Sequence, residues 1–428
     1  MRDRDLRALL LSALQPAPDF SRLAALRRCR ASRLGRLLRW LDQSGLALYF
    51  LTQLREHGAL DQVPARFREA LENRLAANHA RTQAMLAEFA RLVESFNRDG
   101  VRFVALKGFT LTPAFCPAPH LRHQTDFDFL VAPDSFENAK RAMQSCGYDQ
   151  QENGELDEAT FATPLRHIPS PEDDIYAIPE HREVDLVTTL HHAAHGVTID
   201  APGGLDSAET RTLHGIRFPA LPAAEMFCLQ VLHAFKHLLG SWVRASWLFE
   251  IGYFIDRHYR QDHLWRGVAD RMGRDAKRRN AFGLVLSLTN GLWPRPIPQA
   301  LADWCLQSLP PSIELWVAHF GMKTAVADLD GAKLTLFVHR EFVDDRNHWN
   351  SYLSDRIFPF GRRASIGMVT NNDSGTRIKA KVAQWRHTVR RSIFHARSIF
   401  SLPVHAIRWK YALRSIEKQR VPVSQALG

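Results

Sequence analysis

Thr125-Asp126-Phe127-Asp128-Phe129-Leu130-Val131 alternates acidic and apolar residues with the period of a β-strand that has one buried face. On such a strand Asp126 and Asp128 share one side, while Phe127, Phe129 and Val131 point the other way, towards a core. Two neighbouring carboxylates repel each other unless something positive lies between them. A hard divalent cation such as Mg²⁺ is the usual remedy, because it takes one or two carboxylates together with substrate phosphate oxygens. A bare Asp-x-Asp also fits an exposed strand face or a turn, so its neighbours decide its meaning.

Upstream, Val101-Arg102-Phe103-Val104-Ala105-Leu106 is a short apolar strand that runs into Lys107-Gly108. Such a turn lets backbone and lysine approach a phosphate. Downstream, Ser135 to Cys146 has helical spacing and closes with Gly147, a C-cap residue. Further on, Glu183-Val184-Asp185-Leu186-Val187 alternates again, with Val184 and Leu186 inward and Asp185 outward with Glu183. That supplies a third carboxylate from another strand.

These elements resemble the nucleotidyltransferase superfamily of DNA polymerase β and the aminoglycoside nucleotidyltransferases, in which a glycine turn is followed by hDhDh (h is apolar) and then a third acidic strand residue. More closely, they are similar to a bacterial nucleotidyltransferase family whose pattern is matched here by Leu106-Lys107-Gly108, Arg122, Asp126-Phe127-Asp128-Phe129-Leu130-Val131 and Gly147-Tyr148. The likeness runs from the helix before Leu106 to about residue 260.

The resemblance implies an α+β protein built on a polymerase β-like core, a small mixed sheet with helices. It implies Mg²⁺, or Mn²⁺, held by Asp126, Asp128 and Asp185 on the triphosphate of an NTP substrate. Asp185 would also orient or deprotonate an acceptor hydroxyl, which attacks the α-phosphorus as pyrophosphate leaves. The acceptor is left open: a small molecule, a protein side chain or an RNA end. A fold that keeps the core without turnover, acting through its basic tail, is the alternative. Two positions depart from the pattern. Phe109 stands where a second small residue is usual, and Val187 where the closer family often has a histidine. The second departure leaves Glu183 competing with Asp185 for the third carboxylate.

Lys107 is a candidate phosphate contact or a solvated turn lysine. Arg122, four residues before Asp126, would bridge triphosphate oxygens or pair with the aspartates. Gly108 would allow close backbone approach. His233 and His237 resemble histidines of the closer family's helix after the core and would line the nucleotide cleft together with Lys236, with satisfied buried-edge histidines as the preferred alternative for the pair. His191-His192-Ala193-Ala194-His195 has a spacing that puts two imidazoles on one helix face, but lacks the glutamate of a zinc protease between them. The phosphate loop of P-loop enzymes and the nucleophile elbow of α/β-hydrolases do not occur.

A chain of 428 residues suggests two or three units, and 45% apolar content is ordinary for a globular protein. The expected organisation is a helical region over 1–98, a transferase core over 99–215, a helical domain over 216–345 and a basic amphipathic region over 346–428. Within the core, 149–180 reads as a proline-bearing loop, and 332–345 suits strand or helix equally. Five scattered cysteines indicate reduced structural thiols. The N-terminus makes a poor signal peptide, and no apolar run approaches the roughly 18 residues of a transmembrane helix. A cytoplasmic location is expected, with peripheral membrane contact through the tail as an option.

The net charge of +11 is unevenly placed. Residues 361–420 hold fourteen Lys/Arg and two acids, Asp373 and Glu417, so the rest of the chain is close to neutral. Aromatic and aliphatic residues interleave the cations of 376–420. This segment would meet an anionic membrane surface or nucleic acid, or pack on the body with a solvated charged face. Pro403 is expected to split it into two helices.

Overall fold

Four α-helices precede the first strand: α1 (Asp3–Ser12), α2 (Ala31–Ser44), α3 (Ala47–Glu56) and α4 (Ala65–Arg98). The computed structural model describes residues 2–151, 158–164, 175–194, 197–240, 243–326, 333–357 and 374–420. Pro64 immediately precedes α4, and Gly100, at φ 65°, turns the chain out of it. Met85, Phe89, Val93 and Phe96 recur at helical spacing on α4 and are all buried.

Nine strands follow among the described residues: β1 (Phe103–Leu106), β2 (Asp126–Val131), β3 (Asp149–Gln150), β4 (Glu158–Ala162), β5 (Glu183–Val187), β6 (His191–Ala194), β7 (Val197–Asp200), β8 (Glu209–Leu213) and β9 (Ile216–Ala220). Seven form one mixed sheet in the order β3-β4-β5-β2-β1-β9-β8, and β6 and β7 form a separate hairpin. Strand β2 is central. It runs antiparallel to β1 and parallel to β5.

The protein is therefore α+β. One sheet face packs on α4 and on α5 (Phe136–Ser145) through a cluster containing Phe103, Phe127, Phe129, Val131, Val184 and Leu186. Phe129 lies parallel to Phe89 and edge-on to Phe96, with centroids 6.0 and 5.1 Å apart. Burying each such side chain stabilises the fold by about 1.5–3 kcal/mol.

The other sheet face turns Val104, Leu106 and Leu130 into a second, larger core. That core is built by α1–α3 and by α6 (Ala223–Leu239), α7 (Ala245–His258), α8 (Asp262–Met272) and α9 (Ala276–Leu292). Asp126 and Asp128 share this face of β2, partly exposed between buried neighbours. They thus stand where the sheet meets the second group of helices.

Several local expectations are corrected. Strand β4 lies inside the stretch read as a loop over 149–180, and it pairs with β5 along its whole length. His191 opens strand β6, so the histidine spacing there is not helical; His195 lies outside the described residues. The sheet continues to Ala220, past the core boundary expected at 215. Residues 333–342 form short helical turns. The C-terminal helix runs from Ser374 to Arg420 with Pro403 inside it, not as two pieces. A proline costs one intrahelical hydrogen bond and a local bend, which a long helix can absorb.

Candidate active site

The site begins with a backbone constraint. After β1 the chain turns through Lys107 at φ 46° and Gly108 at φ 49°. A positive φ combined with an extended ψ of −151° costs a residue with a Cβ about 1–3 kcal/mol, so Lys107 is held in a strained position next to the aspartates. The Lys107 carbonyl accepts from the Thr110 N–H (2.9 Å) and the Thr110 hydroxyl (2.7 Å), which fixes the turn. A Cβ on Gly108 would come within 2.6 Å of the Gln124 amide nitrogen, which itself donates to the Asp126 carbonyl at 2.9 Å. We expect Gly108→Ala to destabilise the fold by about 1–2 kcal/mol in chemical denaturation. It should depress activity further than that loss explains, because Gln124 must move away from Asp126.

The same turn aims Lys107 across the sheet. Its ammonium lies 2.8 Å from Asp128 Oδ1. In the parallel register Asp128 stands directly beside Asp185, and Asp126 beside Glu183; adjacent strands are about 4.8 Å apart. Thr160 of β4 donates its hydroxyl to Asp185 Oδ1 at 2.8 Å. Glu183 is exposed at the sheet end, with His181 Nε2 3.4 Å away. Of the two competing acids, Asp185 is the half-buried one next to Asp128.

Electrostatics match this crowding. Burial pushes the Asp128 carboxyl above the usual range; Lys107 opposes that shift and Asp126 adds to it. Burial likewise raises Asp185, opposed by the Thr160 hydrogen bond. Burial disfavours the Lys107 ammonium, but Asp128, Asp126 and Asp185 outweigh it and hold its pKa above the ordinary lysine value. One ammonium among three carboxylates leaves surplus negative charge in the group.

Arg122 pairs with a residue other than the aspartates. Its Nε lies 3.2 Å from Oε1 of Glu250, a buried residue of α7 that also accepts from the Tyr49 hydroxyl at 2.9 Å. The arginine still feels Asp126 electrostatically. Helix α4 holds the approach to it: Asn78 donates to the carbonyls of His120 (2.7 Å) and Arg122 (3.2 Å), and Arg81 donates twice to the Gln124 carbonyl (2.8 and 3.1 Å). Arg244, at the N-cap of α7, faces Arg122 and Glu250, and burial followed by Arg122 lowers its pKa. His123 Nε2 donates to the Ile175 carbonyl (2.6 Å), which leaves Nδ1 to accept from Arg244 (3.4 Å). Burial pushes the His123 pKa down to about 3, so this imidazole is neutral.

His233 and His237 sit on α6 with their rings 4.5 Å apart, each 4.6 Å from Trp247. Burial, then Lys236 and Lys107, push His237 down to about 4, so the Lys107 ammonium acts on this aromatic group. Lys236 is exposed.

Sequence reading missed Glu250, Tyr49, Arg244, Thr160, Asn78 and Arg81. Two of them leave a trace: Asn78 and Arg81 are polar residues on the buried side of α4. The others act across 25 to 201 residues of chain, with no local signal.

Among the described residues no three His, Cys, Asp or Glu side chains converge as a ready-made metal cage. The donor set nevertheless fits a hard cation. Asp128 and Asp185 offer carboxylate oxygens side by side, and together with Asp126 they outnumber the one ammonium, Lys107, that lies among them. Mg²⁺ or Mn²⁺ sites of this kind are completed by substrate phosphates.

A carboxylate cluster on adjacent inner strands of a mixed sheet, with Lys107 among the acids and Arg122 within the field of Asp126, is an arrangement suited to phosphoryl chemistry. A family model described as uncharacterised nucleotidyltransferase matches residues 31–294, and the chain belongs to that family. The matched span runs from the start of α2 to just beyond α9 and contains every site residue named above. Nucleotidyl transfer is the activity class that membership indicates. No protein of curated function matches the chain. No helix among the described residues is long and apolar enough to cross a membrane.

Proposed function

We propose that the protein is a Mg²⁺-dependent nucleotidyltransferase that moves a nucleotidyl group from an NTP to an acceptor hydroxyl and releases pyrophosphate. The observation that carries this reading is the pairing of Asp128 with Asp185 on adjacent parallel strands, with the Lys107 ammonium 2.8 Å from Asp128. The core would be polymerase β-like, with the β1 turn presenting Gly108 and Lys107 to phosphate. Bound Mg²⁺ or Mn²⁺ would supply charge neutralisation for the triphosphate and the leaving pyrophosphate.

Within this reading, Asp126, Asp128 and Asp185 hold the cation. Lys107 exchanges Asp128 for a phosphate oxygen when substrate arrives. Arg122, kept straight by Glu250, faces the incoming triphosphate, and Gly108 lets the backbone come close. Asp185 accepts the proton of the acceptor hydroxyl through its unshared oxygen, while Thr160 orients the other. His233, Lys236, His237 and Trp247 border the nucleotide, with the flat rings suited to a base. The acceptor is a small molecule or a protein hydroxyl, since the core itself carries no excess of positive charge for RNA.

The test is purified protein with Mg²⁺ and each α-labelled NTP, offered protein, RNA and small-metabolite fractions as acceptors. Labelled acceptor that disappears with chelator supports the proposal; no transfer from any NTP overturns it. Asp185→Asn should abolish labelling and Glu183→Gln should leave it nearly unchanged, and the reverse result would exchange their roles. A second reading, binding without turnover, draws on the ion pair itself: Lys107 already occupies the cationic position beside Asp128. Nucleotide binding by calorimetry without transfer would select it.

A further inference from the structure

The C-terminal helix, Ser374–Arg420, lies beyond the residues matched by the family and presents two different sides. One side meets the body: Trp409 packs on Phe320 and Phe337 with centroids 5.9 and 5.6 Å apart, and His405 meets Phe320 at 5.6 Å. The other side carries a row of exposed apolar residues, Val382, Trp385, Val389, Ile393, Phe400, Val404, Ile407 and Tyr411. Phe400 is 82% exposed, Tyr411 69% and Trp385 67%. At 3.6 residues per turn all eight fall within an arc of about 100°, opposite Trp409. The row is about 43 Å long at 1.5 Å per residue.

Charge singles out what covers it. The helix holds twelve Lys/Arg and one acid, Glu417, so its net charge is +11, equal to that of the entire chain. Exposed Arg397 and Arg408 border the apolar row on one side, exposed Lys410 borders it on the other, and exposed Arg414 closes its C-terminal end just past Tyr411. An apolar centre edged by cations, with Trp, Phe and Tyr along it, is the pattern of a helix lying in the headgroup region of an anionic bilayer. There the apolar residues enter the acyl boundary and the cations reach out to lipid phosphates. A nucleic-acid surface would instead put the cations at the centre of the exposed side. Pairing with a second copy would bring two +11 segments together, which like-charge repulsion opposes.

We infer that the exposed side of the Ser374–Arg420 helix docks the protein on an anionic lipid surface. The helix lies along the membrane plane and the catalytic body remains in the aqueous phase. This inference is independent of the chemistry at Asp128.

The experiment is vesicle co-sedimentation of the full chain, with phosphatidylcholine alone or mixed with about a third of phosphatidylglycerol. Binding is expected on the anionic vesicles, to weaken with added salt as screening shortens the range of charge attraction, and to be accompanied by a blue shift of tryptophan emission. The triple variant Trp385→Gln, Phe400→Gln, Tyr411→Gln changes only exposed side chains and keeps good helix formers. It should melt as the parent does and bind at least about tenfold more weakly. Equal binding of the triple variant and the parent would overturn the inference. So would indifference to anionic vesicles, whether or not a single-stranded RNA binds.

Discussion

Asp128→Asn is expected to reduce nucleotidyl transfer by about three orders of magnitude or more while the protein remains folded, and Asp126→Asn to do the same. The two carboxylates face the cleft side of β2, and neither packs the core that Phe127, Phe129 and Val131 fill on the other side. For Asp128 the stability effects oppose each other. Asparagine removes a buried charge and its repulsion from Asp126, but also the attraction to Lys107. A net change within about 1 kcal/mol is the expected outcome. Mg²⁺ with NTP should raise the melting temperature of the parent, since a ligand at a hundred times its Kd stabilises by about 2.7 kcal/mol, and the rise should vanish in both variants. Undiminished transfer in both would end the assignment of these residues.

The raised pKa values carry a pH signature of known sign. Asp128 and Asp185 bind protons more tightly folded than unfolded, so they favour folding at pH below the ordinary carboxylate range. That contribution is lost as pH rises through their raised values. Activity needs them ionised, so it should fall on acidification through the raised values while the same protonation favours the fold at these residues. Bound cation should draw the activity limb towards lower pH, and the dependence of that limb on Mg²⁺ concentration is the measurement.

Glu250→Gln is expected to cost about 3–5 kcal/mol of stability, as removal of one partner from a buried ion pair does. Glu250 is buried beneath Arg122, with Arg244 close by, so its loss leaves two guanidinium groups sharing no carboxylate at that point. Tyr49→Phe removes one hydrogen bond to the same carboxylate and should cost about 1.5–3 kcal/mol. Urea unfolding of both, and of Glu250→Gln with Arg122→Met, measures the coupling. The double variant should be less unstable than the sum of the single ones, because it leaves no unpaired charge there. A Glu250→Gln protein as stable as the parent would show that Arg122 does not depend on this support. Turnover should fall in Glu250→Gln even at temperatures where it is folded, since Arg122 loses its fixed orientation.

The local parts of the architecture are readable in the sequence because they depend on neighbours. Alternation in 126–131 and 183–187 gives strands with acids on one side, as the burial of β2 and β5 displays. Helical recurrence gives α4, and Gly100, Gly108 and Gly147 stand where φ is positive. Family membership was likewise within reach of a few residues around Lys107 and Asp128.

Other features required the folded chain. The register that sets Asp185 beside Asp128 joins residues 57 positions apart, and a slip of one residue would turn Asp185 away. Glu250 reaches Arg122 across 128 residues, and Tyr49 reaches Glu250 across 201. Chain separation of that order leaves no periodicity to read, because the contacts arise only when two cores bury their apolar faces against opposite sides of one sheet. The terminal helix shows the same division. Its charge and its amphipathic composition are properties of the sequence, whereas which side meets Phe320 and which stays exposed is set by packing on the body.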